Sequence, residues 1–228
     1  MNNIPKHVAI IMDGNRRWAE KKNLKKIDGH KMGIETAKEI SIESNNLGIK
    51  EITLYAFSFQ NWNRPKVEIE SLFNLFYELF EDKSKFFSLN SFIFNPIGRI
   101  DLLNNVIKKK LINLKNVTQN NKKLKINVAI NYGGIEEIID TFKNLVNANI
   151  NLEDLNEDTL RQYSYLPISP SPELIIRTGG YNRISNFLNL HNSYSEIIIS
   201  NKLWPDFTKD DFISILNEYQ SIERNHGK

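Results

Sequence analysis

Several polar clusters in this chain carry the residue types that bind phosphate and metal. One is Asp13-Gly14-Asn15-Arg16-Arg17-Trp18, directly after the apolar run Val8-Ala9-Ile10-Ile11-Met12. A buried strand that ends in an acid delivers it to a crevice. Gly14 permits a sharp turn, and a helix starting there presents free backbone N–H groups to an anion. A carboxylate beside two guanidiniums suits a place where a divalent cation meets a phosphate. Asp13 would then hold the metal, while Arg16, Arg17 and the backbone hold the anion. The competing reading makes Asp13 a helix cap with two solvated arginines beside it. A second cluster, Arg177-Thr178-Gly179-Gly180-Tyr181-Asn182-Arg183-Ile184-Ser185-Asn186, sets two arginines and two hydroxyls around a double glycine. That composition suits a diphosphate, since the glycines let N–H groups approach and each guanidinium makes two charge-assisted bonds. Its plain alternative is a glycine turn with surface arginines. Between them lie Ser58-Phe59-Gln60-Asn61-Trp62-Asn63-Arg64 and Asn131-Tyr132-Gly133-Gly134.

These clusters follow strands. The opening run, Glu51–Phe57, Phe92–Gly98, Leu124–Tyr132, Glu173–Arg177 and Glu196–Ser200 read as strands, and Pro96 places the third at a sheet edge or shortens it. Trp18 to Lys26 reads as a charged helix or turn, and helices are expected near Ile34–Asn46, Asp101–Thr118, Ile135–Val146 and Glu157–Tyr163. Arg64-Pro65 introduces a long amphipathic helix with Ile69, Leu72, Phe73, Phe76, Leu79 and Phe80 at helical spacing. Thr208 caps a last helix to about Asn225. The alternation predicts an α/β fold: a single domain over residues 1–228, with a mostly parallel sheet of about six strands flanked by helices. Ligands of such sheets collect at the carboxyl ends of the strands, where the polar clusters fall.

Composition narrows the function. Thirty Lys and Arg against 27 Asp and Glu leave a net charge of +3 over 228 residues, too mild to point to nucleic acid. With no cysteine there are no disulfides or thiolate metal sites, which suits a reducing compartment. Apolar runs fall short of the roughly 20 residues a membrane helix needs. A soluble, cytoplasmic protein is expected.

The segments His7–Trp18, Gly29–His30, Tyr55–Pro65, Ile176–Phe187 and Leu203–Phe207 resemble the cis-prenyltransferases, undecaprenyl diphosphate synthases in particular. The similarity runs from about Ile4 to Asn225. It implies a homodimeric α/β enzyme that adds isopentenyl diphosphate to an allylic diphosphate, farnesyl diphosphate being the expected starter, with cis geometry and magnesium as cofactor. The implied product is a long-chain polyprenyl diphosphate, the undecaprenyl carrier of cell-wall synthesis, with peripheral membrane contact for its release. The trans-product class depends on paired aspartate-rich motifs. Here Asp210-Asp211 is the only adjacent pair, and capping explains it better.

Carried over by position, Asp13 is the implied magnesium ligand and indispensable acid, with Glu196 a second metal-associated acid. Gly14, Asn15, Arg16, Arg17, Trp18, Lys26 and His30 would cradle the allylic diphosphate. Ser58, Phe59, Gln60, Asn61, Trp62 and Arg64 would border the reacting carbons, and Arg177, Arg183, Ile184 and Ser185 would hold isopentenyl diphosphate. The family involves Asn61 in proton removal, but a carboxamide is hardly basic. We read it as a positioner, with a phosphate oxygen or water as acceptor. Phe73, Phe76, Phe80, Phe86, Phe87, Phe92 and Phe94 are read mainly as core, part of them lining a product tunnel. The chain departs from the usual pattern at Lys26 (arginine), Tyr181 (glutamate), Leu190-His191 (Trp-Gln) and Glu173 (aspartate). Two rival readings are a non-catalytic partner subunit of the same fold and an α/β nucleic-acid-binding protein.

Overall fold

The computed structural model describes residues 4–82 and 84–224, with the side chains of 77–84 outside that description, Leu79 and Phe80 among them. The strands are β1 (His7–Ile11), β2 (Glu51–Ser58), β3 (Ile93–Ile97), β4 (Lys125–Tyr132), β5 (Leu174–Arg177) and β6 (Glu196–Ile199). They form one sheet in the order β3-β4-β2-β1-β5-β6 with every pairing parallel. β1 is buried along its whole length, as its unbroken apolar sequence requires of a central strand. β3 is outermost, so Pro96 costs no bond that a second neighbour would have needed.

The helices are α1 (Asn15–Lys21), α2 (Lys26–Asn46), α3 (Lys66–Asp82), α4 (Ser84–Asn90), α5 (Asn105–Thr118), α6 (Gly134–Asn147), α7 (Glu157–Gln162) and α8 (Lys209–Ser221). Alternate strand residues face opposite layers. Val8, Ile10, Ile52, Leu54, Leu174 and Ile176 pack with Ile40 of α2, Leu72 of α3, Leu111 of α5 and Phe212 of α8. Ala9, Ile11, Ala129 and Ile175 join Leu166, Phe187 and Leu188 on the other face. Asp211 caps α8 reciprocally with Thr208, which confirms capping as the role of that aspartate.

Several boundaries differ from expectation: α1 starts at Asn15 and ends at Lys21, α5 starts at Asn105, and α4 was not expected. α2 starts at Lys26 and not near Ile34, because Gly29 and Gly33 are contact residues and not breaks. A Cβ on Gly29 would stand 2.0 Å from the Asn15 carbonyl oxygen, and one on Gly33 would stand 2.3 Å from Asn15 Oδ1. The glycines, four apart on one face, let α1 cross close over α2. α8 ends at Ser221, short of Asn225.

Candidate active site

β1 and β5 are neighbours, yet the chain leaves β1 toward β2 and returns to its other side only after β4. The crevice beyond their carboxyl ends is therefore a topological switch point. Ile11 is in register with Arg177, so the residues that follow β1 meet the end of β5. Asp13 Oδ2 accepts from Arg177 Nη2 at 2.8 Å, and Oδ1 accepts from Arg17 Nη2 at 3.3 Å. The Asp13 carbonyl accepts from Thr178 Oγ1 at 2.8 Å and from the Trp204 N–H at 3.0 Å, which fixes the turn. Gly14 has φ +121°, and a Cβ there would lie 2.9 Å from Leu203, so only glycine serves.

Arg177 is nearly buried. Nη1 donates to Ser185 Oγ at 2.6 Å and to the Arg183 carbonyl, while its Nε has no partner. Arg17 Nη1 donates to the Gly179 carbonyl at 2.8 Å. The second strand supplies the opposite wall. Register shifts between β2 and β4 at Tyr55, Phe57 and Ser58 re-aim the strand end. The Ser58 N–H donates to Asn61 Oδ1 at 3.2 Å, which commits the carboxamide oxygen and leaves the NH2 as the end Asn61 offers. A group offering donors positions a ligand and does not take its proton, in line with the reading of Asn61 as a positioner.

The crevice is a polar pocket of about 460 Å³ lined by Met12, Asp13, Gly14, Asn15, Arg16, Arg17, His30, Ser58, Asn61, Arg64, Arg177 and Ser185, with Tyr55, Ala56, Leu72, Glu20 and Tyr181 among others. His30 Nε2 is buried without a partner in this wall. Burial, and then the charges of Arg64 and Arg16, pull His30 down to about 4, so it is neutral at pH 7. Burial also lowers Arg64, with Arg16 adding to the effect and Glu68 opposing it. An apolar cavity of about 120 Å³, lined by Leu54, Phe76, Phe86, Phe87 and Phe94 among others, shares Met12 and Ala56 with the polar pocket.

Not every expected residue comes to this pocket. The Trp18 indole N–H donates to Asp206 at 2.6 Å and its ring packs on Leu203, so it pins the turn to the chain's far end. Phe59 lies under the Arg99 guanidinium, and Gln60 is exposed. Trp62 donates to Asn131 Oδ1 at 2.6 Å and stacks on Phe73. Lys26 reaches only the rim, its Nζ 3.9 Å from Glu68. Ile184 contributes a backbone carbonyl to the loop, where it accepts from Phe187. The Arg183 guanidinium stands over Tyr181 beside the pocket. Glu196 begins β6 in register with Leu174 and Val8, at the opposite rim of the sheet from Asp13. Glu196 therefore stands apart from the polar pocket within one chain. The cluster at Gly133-Gly134 anchors the loop after β5: Gly134 N–H donates to the Asn186 carbonyl at 2.7 Å.

Sequence reasoning missed Glu68 on α3. It is 3.3 Å from Arg64, 3.5 Å from Arg16 and 3.9 Å from Lys26, a shared counter-charge for three cations. Its signal was the four-residue spacing from Arg64, which reads as an ordinary helix pair. Among the described residues no three His, Cys, Asp or Glu side chains gather to cage a metal. The donor set instead fits a hard divalent cation that keeps several waters and takes its other ligands from phosphate.

A family model described as "Putative undecaprenyl diphosphate synthase" matches residues 11–227. An isoprenyl transferase of Clostridium tetani is 42% identical over 231 residues, covering 100% of this chain and 91% of the relative. A ditrans,polycis-undecaprenyl-diphosphate synthase of Pasteurella multocida, named as (2E,6E)-farnesyl-diphosphate specific, is 38% identical over 230 residues, covering 99% of this chain and 96% of the relative. Lavandulyl diphosphate synthase from Lavandula x intermedia, solved with dimethylallyl diphosphate, superimposes with a TM-score of 0.94 at 30% identity, covering 99% of both chains. An acid and two arginines drawn together at a sheet's switch point thus sit in a chain that belongs to the undecaprenyl diphosphate synthase family of cis-prenyltransferases.

Proposed function

We propose that this enzyme condenses isopentenyl diphosphate onto an allylic diphosphate, farnesyl diphosphate in the first instance, and repeats the step to a long-chain polyprenyl diphosphate. The observation that carries this reading is the polar pocket that shares Met12 and Ala56 with an apolar cavity. An amphiphile with an anionic head and a hydrocarbon tail matches that pairing. The starter is supported by the farnesyl specificity in the name of the Pasteurella relative.

The Gly14–Arg17 turn, Arg64 and His30 would take the allylic diphosphate, and Arg177, Arg183 and Ser185 the isopentenyl diphosphate. In each condensation a carbon–carbon bond forms as the allylic carbon–oxygen bond breaks, diphosphate leaves, and a proton departs from the isopentenyl unit. Asn61 orients that unit, and a diphosphate oxygen or water accepts the proton. Asp13 would hold magnesium, which when bound supplies charge neutralisation to the diphosphate oxygens. The apolar cavity of about 120 Å³, walled by Phe76 of α3 and Phe86 and Phe87 of α4, would receive the hydrocarbon tail.

A homodimer is supported by α6, whose Ile135, Ile138, Ile139, Phe142 and Val146 form an exposed apolar stripe at helical spacing. No helix among the described residues is long and apolar enough to cross a membrane. We place the enzyme in the cytoplasm, with peripheral membrane contact at product release and the undecaprenyl carrier of cell-wall synthesis as its product. The test is incubation with farnesyl diphosphate, labelled isopentenyl diphosphate and magnesium, followed by product analysis. Labelled polyprenyl products with cis double bonds are expected; absence of incorporation would contradict the proposal.

A further inference from the structure

We propose that Tyr181 is a positioning residue whose ring holds Arg177 and Arg183 preorganised for the diphosphate of isopentenyl diphosphate, with Arg17 of the neighbouring allylic site packed on the same ring. The claim rests on the proposed prenyl transfer and extends it to a residue at which this chain departs from the family pattern. Three guanidinium carbons approach this one ring: Arg183 at 4.4 Å, Arg17 at 4.7 Å and Arg177 at 5.7 Å from its centroid. Each distance lies within the range at which a ring quadrupole attracts a cation.

The ring's placement is built in. Gly179 and Gly180 take φ of +83° and +79°, which turns the chain back over Asp13. Their N–H groups donate to the carbonyls of Lys202 at 2.7 Å and Ser200 at 3.0 Å, so the turn is tied to the segment after β6. A Cβ on Gly179 would stand 2.3 Å from Arg17 Nη2, so the close approach of this loop to Arg17 depends on glycine.

Charge explains why a ring is useful here. Asp13 already serves both Arg17 and Arg177, one on each oxygen. Among the described residues no carboxylate pairs with Arg183, and the ring is what its guanidinium faces. A carboxylate at this position would neutralise a guanidinium and repel an incoming phosphate. An aromatic face attracts the cations and carries no charge. A guanidinium stacked on it can still extend its N–H fork to phosphate. Tyr181 is 43% exposed and lines the pocket, so it meets both ligand and solvent.

The test compares the wild-type protein with Tyr181→Leu and Tyr181→Phe. Isopentenyl diphosphate binding is measured by calorimetry with magnesium, alongside KM, kcat and the thermal midpoint. Loss of the ring is expected to raise Kd and KM for isopentenyl diphosphate roughly tenfold to thirtyfold. The KM for the allylic substrate should change less, kcat should stay within about threefold and the thermal midpoint should hold. Tyr181→Phe, which keeps the ring and drops the hydroxyl, is expected to recover most of the loss. Wild-type affinity in Tyr181→Leu would overturn the proposal, and so would Tyr181→Phe binding as poorly as Tyr181→Leu. A wild-type protein that neither binds nor consumes isopentenyl diphosphate would instead overturn the functional reading beneath it.

Discussion

Asp13 and His30 respond differently to substitution because one is paired and the other is not. Asp13→Asn leaves the nearly buried Arg177 facing a neutral amide, so we expect a loss of about 2 kcal/mol, roughly 4–8 °C in thermal midpoint. Turnover should fall roughly 10²–10³-fold with the fold retained, as expected when charge stabilisation at the reacting groups is lost; turnover near wild type would remove Asp13 from the chemistry. His30→Ala should mainly raise KM for the allylic diphosphate, since the unpartnered Nε2 is what it offers; a collapse of kcat at unchanged affinity would refute that role. Burial holds both His7 and His30 down to about 4, against about 6.5 in an unfolded chain. The unfolded state then binds more protons between those values. Stability should be complete above pH 6.5 and fall as pH drops toward 4, by on the order of 3 kcal/mol per histidine. Denaturant titrations at pH 7.5, 5.5 and 4.5 check the slope, which His30→Gln should roughly halve. Asp13 and Arg177 were readable as chemistry because each stands at a strand's end. Trp18 was not readable as a pin, because its partner Asp206 lies far along the chain.

At the scale of elements, α6 carries an amphipathic pattern whose apolar stripe faces out instead of in. Phe142, half exposed on that stripe, is the position to change. Phe142→Glu is expected to convert a dimer to a monomer in sedimentation at micromolar concentration; an unchanged sedimentation coefficient would place the interface elsewhere. Ala56, common to both cavities, should act as a gate, and Ala56→Phe is expected to shift products toward shorter chains in the product assay. The strands were legible from their apolar runs, and of the two readings of Pro96, an edge or a shortened strand, the outermost place of β3 bears out the edge. The start of α2 was not, because Gly29 and Gly33 look like breakers until the helix that crosses them is in place. Glu196 illustrates a rule not applied evenly. An acid that opens a strand of a parallel sheet lies at the rim opposite an acid that follows one, so its separation from Asp13 was implicit in the strand assignment.

The whole molecule turns modest charge into a local field. Arg17 and Arg177 converge on Asp13, and Arg16, Arg64 and Lys26 on Glu68, around one pocket. The strand order that brings β1 beside β5 could not be read from the sequence, although the parallel α/β class could, because pairing between distant strands leaves no local signal. The departure at His191 is absorbed by a buried partner, Glu137, at 2.9 Å, which also accepts from the Tyr165 N–H at 3.0 Å. The most direct test is a crystal structure with magnesium, isopentenyl diphosphate and an unreactive thio-analogue of farnesyl diphosphate. We predict one diphosphate on Arg177, Arg183 and Ser185, the other on the Gly14–Arg17 turn with His30, the ion on Asp13, and the hydrocarbon passing between Met12 and Ala56. Diphosphates bound away from Asp13, or a tail directed elsewhere, would contradict the account.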